Sequence, residues 1–210
     1  MRDFLRDFVR DDSGLAAEFA LVLPLLLIFI LGTIDVGLYA YRINEAEKAT
    51  QIGARWAVVT SPIPTGLGDV SLVNINAGGS VILQGDRVPV LDFNITCTGS
   101  STSCTCTGSD CGSPLSSSYT RDNDAFNALL GRMQDILPAI QAANLAVDYS
   151  GSGLGFAGDP NGPDVVPLIT VRLVNMEHRS VVLSPLGVTT SLPDFAYSLT
   201  AEDMSGTASN

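Results

Sequence analysis

Basic side chains, histidine and charge in general are scarce in this chain of 210 residues. Lys and Arg total 11 against 22 Asp and Glu, a net charge of −11. Proteins that grip a phosphate backbone do so with clustered cations, so the balance argues for no nucleic acid among the partners. One His and four Cys leave few ways to build imidazole catalysis or a His-rich metal centre. There is no Gly-x-Ser-x-Gly elbow to carry a serine hydrolase of that type, and no fixed-period repeat. Charged residues make up 16% of the chain, below the ~25% of typical soluble domains. Part of this protein therefore does not face water. The length suits one ordinary domain plus an appendage.

The apolar excess is concentrated near the N-terminus. Phe19 to Ile34 reads FALVLPLLLIFILGTI without a charge, and the run continues to Tyr41 with only Asp35 interrupting. At ~1.5 Å per residue these stretches reach ~24 and ~34 Å, bracketing a ~30 Å bilayer core. One transmembrane helix is expected. A cleaved secretory signal is the competing reading, but its apolar region should be shorter and followed by a small-x-small site, which Asp35-Val36-Gly37 supplies poorly. Arg2, Arg6 and Arg10 precede the run, and by the positive-inside rule they place the N-terminus in the cytoplasm. Residues after about Tyr41 are then expected on the far side of the membrane.

Glu18 sits directly against the apolar run, where an unpaired charge is costly. The string Ser13-Gly14-Leu15-Ala16-Ala17-Glu18-Phe19 followed by ALVLPLLL resembles the processing site and helix start of type IV pilin-like proteins. More closely, residues Asp11 to Val59 resemble the TadE family of tight-adherence pilus assembly proteins. The shared pattern is a short charged leader, Gly, small residues, Glu-Phe, a Leu-rich stretch with Pro24, and Gly53-Ala54-Arg55-Trp56-Ala57 closing a long helix. The resemblance implies cleavage after the leader glycine by a membrane prepilin peptidase, leaving glutamate as the fifth mature residue. Cleavage after Gly14 makes Glu18 the fourth; cleavage after Ser13, before Gly14 and Leu15, makes it the fifth. A freed α-amino group, cationic at neutral pH, can neutralise the Glu18 carboxylate of a neighbouring subunit in low dielectric. Glu18 and Phe19 are thus candidate assembly residues. A glutamate that only snorkels near a helix N-terminus is the plainer alternative.

Beyond the membrane, Leu38, Tyr41, Ile52, Trp56 and Val59 continue a helical period, so one rod over 15–60 is expected to extend into an amphipathic segment. Ile52, Trp56 and Val59 form its candidate core face. Ser61-Pro62-Ile63-Pro64 ends it, since proline cannot continue the ladder. Short β-branched runs then dominate: 70–75, 81–83, 87–96, 146–149, 165–175, 180–183 and 195–200. A further helix is expected from about Asp122 to Ala143, capped at Asp122 or Asn123 and bent at Pro138. The fold class is α+β: a long N-terminal transmembrane and amphipathic helix, then over 61–210 a small antiparallel-sheet head with one further helix and a disulfide-rich loop.

That loop, residues 97–118, is rich in Ser, Thr and Cys. In an oxidising compartment Cys97, Cys104, Cys106 and Cys111 form two disulfides. A bond between Cys104 and Cys106 is disfavoured, so each is expected to pair with Cys97 or Cys111. A zinc site lacks the usual two-residue knuckle spacing, so no metal and no cofactor are expected. Gly153-Leu154-Gly155-Phe156-Ala157-Gly158 matches G-x-G-x-x-G but is followed by Asp159-Pro160 rather than a helix, and reads as a turn. Asp159, Asn161 and Asp164 read as a capped turn rather than a calcium loop. His178 reads as a surface residue.

The leading functional reading is a non-enzymatic minor pilin or pseudopilin that loses residues 1–14 or 1–13. Its expected partners are other pilins through the helix, the peptidase, the inner-membrane pilus platform and the lipid bilayer. The alternative is a permanently membrane-anchored periplasmic binding module.

Overall fold

The computed structural model describes residues 12–77, 79–160, 162–180, 184, 190–202 and 204, with side chains from Glu18 onward. Most of the expected leader, residues 1–11, lies outside the described residues. The first element, α1, is one unbroken helix, Asp12–Ala57, that runs through Pro24. It begins ahead of the expected start at residue 15. Thr33 keeps its hydroxyl satisfied inside the apolar stretch by donating to the Ile30 carbonyl at 2.7 Å.

The chain divides into two compact units. One comprises 1–42 and 177–191: the apolar part of α1 and a two-stranded ladder pairing β8 (Glu177–His178) with β9 (Thr190–Ser191). Along α1 from Phe19 to Leu31 the large apolar side chains are exposed.

The other unit, 43–176 with 192–210, holds the remainder of α1 and a mixed α+β core. Six antiparallel strands make its sheet: β3 (Asn94–Thr98), β4 (Ser103–Thr107), β5 (Ser118–Thr120), β6 (Leu145–Leu154), β7 (Val166–Leu173) and β10 (Phe195–Thr200), in the spatial order β10-β7-β6-β3-β4-β5. A separate small ladder joins β1 (Asn76–Ala77) and β2 (Ser80–Val81). Alternation sets the faces: on β7, Ile169, Val171 and Leu173 are buried while Thr170 and Arg172 stand on the other side. There Arg172 Nε donates to Asp148 at 2.5 Å, and Thr96 donates to the same carboxylate at 2.7 Å, tying β3, β6 and β7 in register. This hydrogen bond to Asp148 raises the Arg172 pKa above its ordinary value.

The face α1 turns to the core is not the expected one. Ile52, Trp56 and Val59 are only half-buried, whereas Ala46, Ala49, Thr50, Gly53, Ala54 and Ala57 are buried. Small residues three and four apart let the helix backbone come close to its neighbours. Gly53 marks a close approach, since a Cβ there would lie 2.8 Å from Met133 Sδ. After α1, the Ile63 N–H donates to the Tyr149 hydroxyl at 3.1 Å. Complete burial pushes the Tyr149 phenol pKa up, opposed by that hydrogen bond.

The second helix, α2, spans Asn123–Gln134. Asp122 caps it, its Oδ1 accepting from the Asp124 and Ala125 N–H groups at 2.9 and 3.0 Å. It stops short of the expected bend, because Pro138 disfavours helical backbone at Leu137. Leu137 and Ile140 are still buried. The expected loop over 97–118 needs a similar correction: β4 lies inside it. In Ser-Cys-Thr-Cys-Thr the cysteines alternate inward and the β-branched threonines outward, the period of a half-buried strand.

Candidate functional site

The residues named for processing and assembly all lie at the start of α1. Ser13, Gly14 and Leu15 are helical, and their side chains lie outside the described residues. Glu18 and Phe19 are exposed, Phe19 by 64%. Glu18 therefore immediately precedes residues that present apolar surface outward.

The four cysteines are paired as Cys97–Cys104 and Cys106–Cys111. Each bond is local, with sequence separations of 7 and 5. The first joins β3 to β4, and the second ties the end of β4 to the turn after it. That turn is also held by Asp92, which accepts from the Ser109 N–H and hydroxyl, both at 2.9 Å. The Ser109 backbone bond, then the hydroxyl, lowers the Asp92 pKa.

The glycine-rich string leads from the end of β6 into a turn and not into a helix N-terminus. Gly153, Gly155 and Gly158 have φ of 69°, 106° and 72°, a region that side chains other than glycine rarely enter. Asp164 is buried and accepts from the Leu72 and Gly158 N–H groups, both at 2.7 Å. It closes a turn, as expected; Asn161 lies outside the described residues. Among the described residues no cluster of His, Cys, Asp and Glu has the makings of a metal site.

A second polar cluster, on the apolar part of α1, was not singled out by sequence. Asp35, the one charge in that stretch, accepts from the Ser180 hydroxyl at 2.5 Å. The Tyr39 hydroxyl donates to the Ser191 carbonyl at 3.4 Å, and its ring meets the His178 ring edge-on, with centroids 5.4 Å apart. His178 is thus not the surface residue expected. It is only 8% exposed, and its Nε2 is buried without a hydrogen-bond partner among the described residues. Tyr39 and the β8–β9 ladder cover it, which the local sequence does not reveal. Beside it lies a cavity of about 380 Å³ with apolar walls at Ile28, Gly32 and Val36 and polar ones at Asp35, His178 and Ser180. Asp, His and Ser are the residue types of a hydrolytic relay. Among the described residues the serine hydroxyl donates to the aspartate and not to the imidazole Nε2, which is not the order of such a relay.

The apolar part of α1 is also the chain's candidate membrane span. Among the described residues one helix is long and apolar enough to cross a membrane. Residues 15–55 match the family model described as TadE-like protein. This segment is similar to TadE-like proteins. The match begins at Leu15, takes in Glu18, Asp35 and Tyr39, and ends at Arg55. It leaves the sheet-bearing remainder unmatched. No curated protein and no solved structure matches the chain.

Proposed function

We propose that this protein is a non-enzymatic minor pilin or pseudopilin that takes part in assembling a tight-adherence pilus after a prepilin peptidase removes its leader. The observation that carries this reading is the coincidence of the TadE-like match over 15–55 with an exposed apolar helix bearing Glu18 at its lip. The anchor lies in the inner membrane with the head in the periplasm. The helix joins other pilins, and the peptidase and platform act on its cytoplasmic end. Assembly rests on Glu18. In lipid the helix needs no apolar partner, because acyl chains are as apolar as leucine. What it lacks there is a countercharge, which the freed amino terminus of a neighbour supplies.

Three measurements test the parts separately. N-terminal sequencing of membrane-extracted protein should find Gly14 or Leu15 first. An intact Met1 or Arg2 terminus in cells containing the peptidase would sink the pilin reading and favour a permanently anchored periplasmic module. Replacing Gly14 with a bulky residue should leave the leader attached, heavier by about 1.5 kDa, the share of 14 residues in a chain of 210 and 22.0 kDa. Glu18→Ala should be processed and inserted normally, since it makes the segment more apolar, yet crosslink poorly to pilus partners at matched abundance. Wild-type complex yield would reduce Glu18 to a residue at the helix end.

A further inference from the structure

We propose that the cavity beside His178 takes one acyl chain of a glycerophospholipid, with the imidazole Nε2 donating to the carbonyl of the ester that ends that chain, whatever the headgroup. The inference rests on residues 19–41 spanning the bilayer and not on processing or pilus assembly.

The cavity is set out along α1. Its wall runs from Ile28 through Gly32 and Val36 to Tyr39, and Ile28 lies ten residues beyond Glu18, Tyr39 twenty-one. At ~1.5 Å per residue that is ~15 Å and ~32 Å along the helix. With Glu18 at one surface of a ~30 Å core, Ile28 reaches the midplane and Tyr39 the far boundary. The cavity thus has the depth of one leaflet. Its volume of about 380 Å³, spread over the ~16 Å from Ile28 to Tyr39, makes a channel ~5 Å across. A helix with its side chains needs ~10–12 Å. A slender apolar chain fits, and a second helix does not.

The unpaired nitrogen identifies the group at the outer end. His178 belongs to the cavity wall, and its Nε2 is buried without a hydrogen-bond partner among the described residues. A buried polar atom left without a partner bears its whole desolvation cost, and hydrocarbon supplies no water to relieve it. Asp35 and Ser180 bond each other and have further contacts, so neither calls for a ligand. The level of the nitrogen decides between acceptors. His178 packs edge-on against the Tyr39 ring, and a long side chain leans back toward the N-terminus of its helix. That brings both rings down from the ~32 Å of the Tyr39 backbone to the boundary at ~30 Å. In a glycerolipid the first polar group beyond the acyl chain is its ester, and the phosphate lies further out. An ester carbonyl has no proton to give, so Nε2 is the donor.

The test uses the full chain in vesicles of mixed phosphatidylethanolamine and phosphatidylglycerol, each preparation carrying one trace analogue with a photoreactive group in its chain. The analogues are ester-linked phosphatidylglycerol, its ether-linked counterpart, which lacks the carbonyl, and ester-linked phosphatidylethanolamine. Labelled residues are mapped by mass spectrometry. Labelling at Ile28, Gly32 and Val36 should be about fivefold higher with the ester than with the ether, the factor for one hydrogen bond of ordinary net worth, and equal for the two ester headgroups. Faces such as Leu21 and Leu25 should take all of them equally. His178→Phe keeps a ring against Tyr39 and should remove the preference for the ester. Gly32→Leu adds bulk where a Cβ meets nothing within 4 Å and should bring labelling at 28 and 36 down to the level of Leu21 and Leu25. Equal labelling by ester and ether would overturn the proposal while leaving the span intact. A preference for one headgroup with none for the ester would overturn it too, because the contact would then lie beyond the carbonyl. Absence of label anywhere over 19–41 would overturn both the site and the span.

Discussion

The two halves of α1 share a backbone and little else. From Phe19 to Leu31 the bulky side chains point away from the protein, with Leu21 74% and Phe29 71% exposed. From Ile43 to Ala57 the relation of size to burial is reversed, and the buried positions are alanine, glycine and threonine. A patch like the first half would be a liability in water. In hydrocarbon it is an ordinary surface. In the second half burial is decided by how closely a neighbouring element approaches the helix axis, so bulk is excluded from the interface instead of recruited to it.

The contrast is broken most sharply by making the same change in both halves. Gly53→Leu drives a branched side chain into Met133 and should destabilise the sheet-bearing unit by about 3 kcal/mol, the upper end of overpacking. Gly32→Leu enters open space and should leave that stability unchanged. Urea titration of the full chain in detergent reads both through Trp56, the single tryptophan. Equal losses at the two positions would contradict the contrast.

Next in size are the crosslinks. Closing loops of 7 and 5 residues should contribute about 2 kcal/mol each by the chain-entropy account. Reduction should lower the same urea midpoint, and thiol titration of the unreduced protein should find none free. Tyr149→Phe leaves the buried Ile63 N–H without an acceptor and should cost about 1–3 kcal/mol. A neutral result would mean that the segment after α1 is held by packing alone.

The smallest effect concerns pH. The Asp92 pKa is lower in the folded chain than its ordinary 3.8. Its hold on Ser109 is therefore fully present above 3.8 and is lost as pH falls through the lower folded value. The Ser109 amide resonance should titrate with a midpoint below 3.8, and a midpoint at or above it would contradict the Asp92 contact.

What sequence revealed follows from how local the causes were. The apolar run, the Asp122 cap and the strand Phe195–Thr200 each rest on neighbouring residues, and each was legible. The inward face of α1 was not, because apolar size is a poor guide where two elements pack almost in contact. Strand β4 was hidden by its composition: Ser, Thr and Cys read as a loop until the alternation of Cys104 and Cys106 is noticed. The cluster at Asp35 was beyond local reading, since Ser180 lies 145 residues away. Its one visible signal was a carboxylate within a membrane-length apolar run, a functional flag by default.

Strands β7 and β10 are paired from Leu173 with Phe195 onward, and the chain between them makes a detour. Leu192 N–H donates to the Met176 carbonyl at 2.8 Å, so the exit and the return are stitched together before residues 177–191 begin. The detour is thus a cassette hung on a closed neck. A change of length within 177–191 leaves the pairing of β7 with β10 to residues outside it, at the cost of the contacts that Ser180 and Ser191 make with α1.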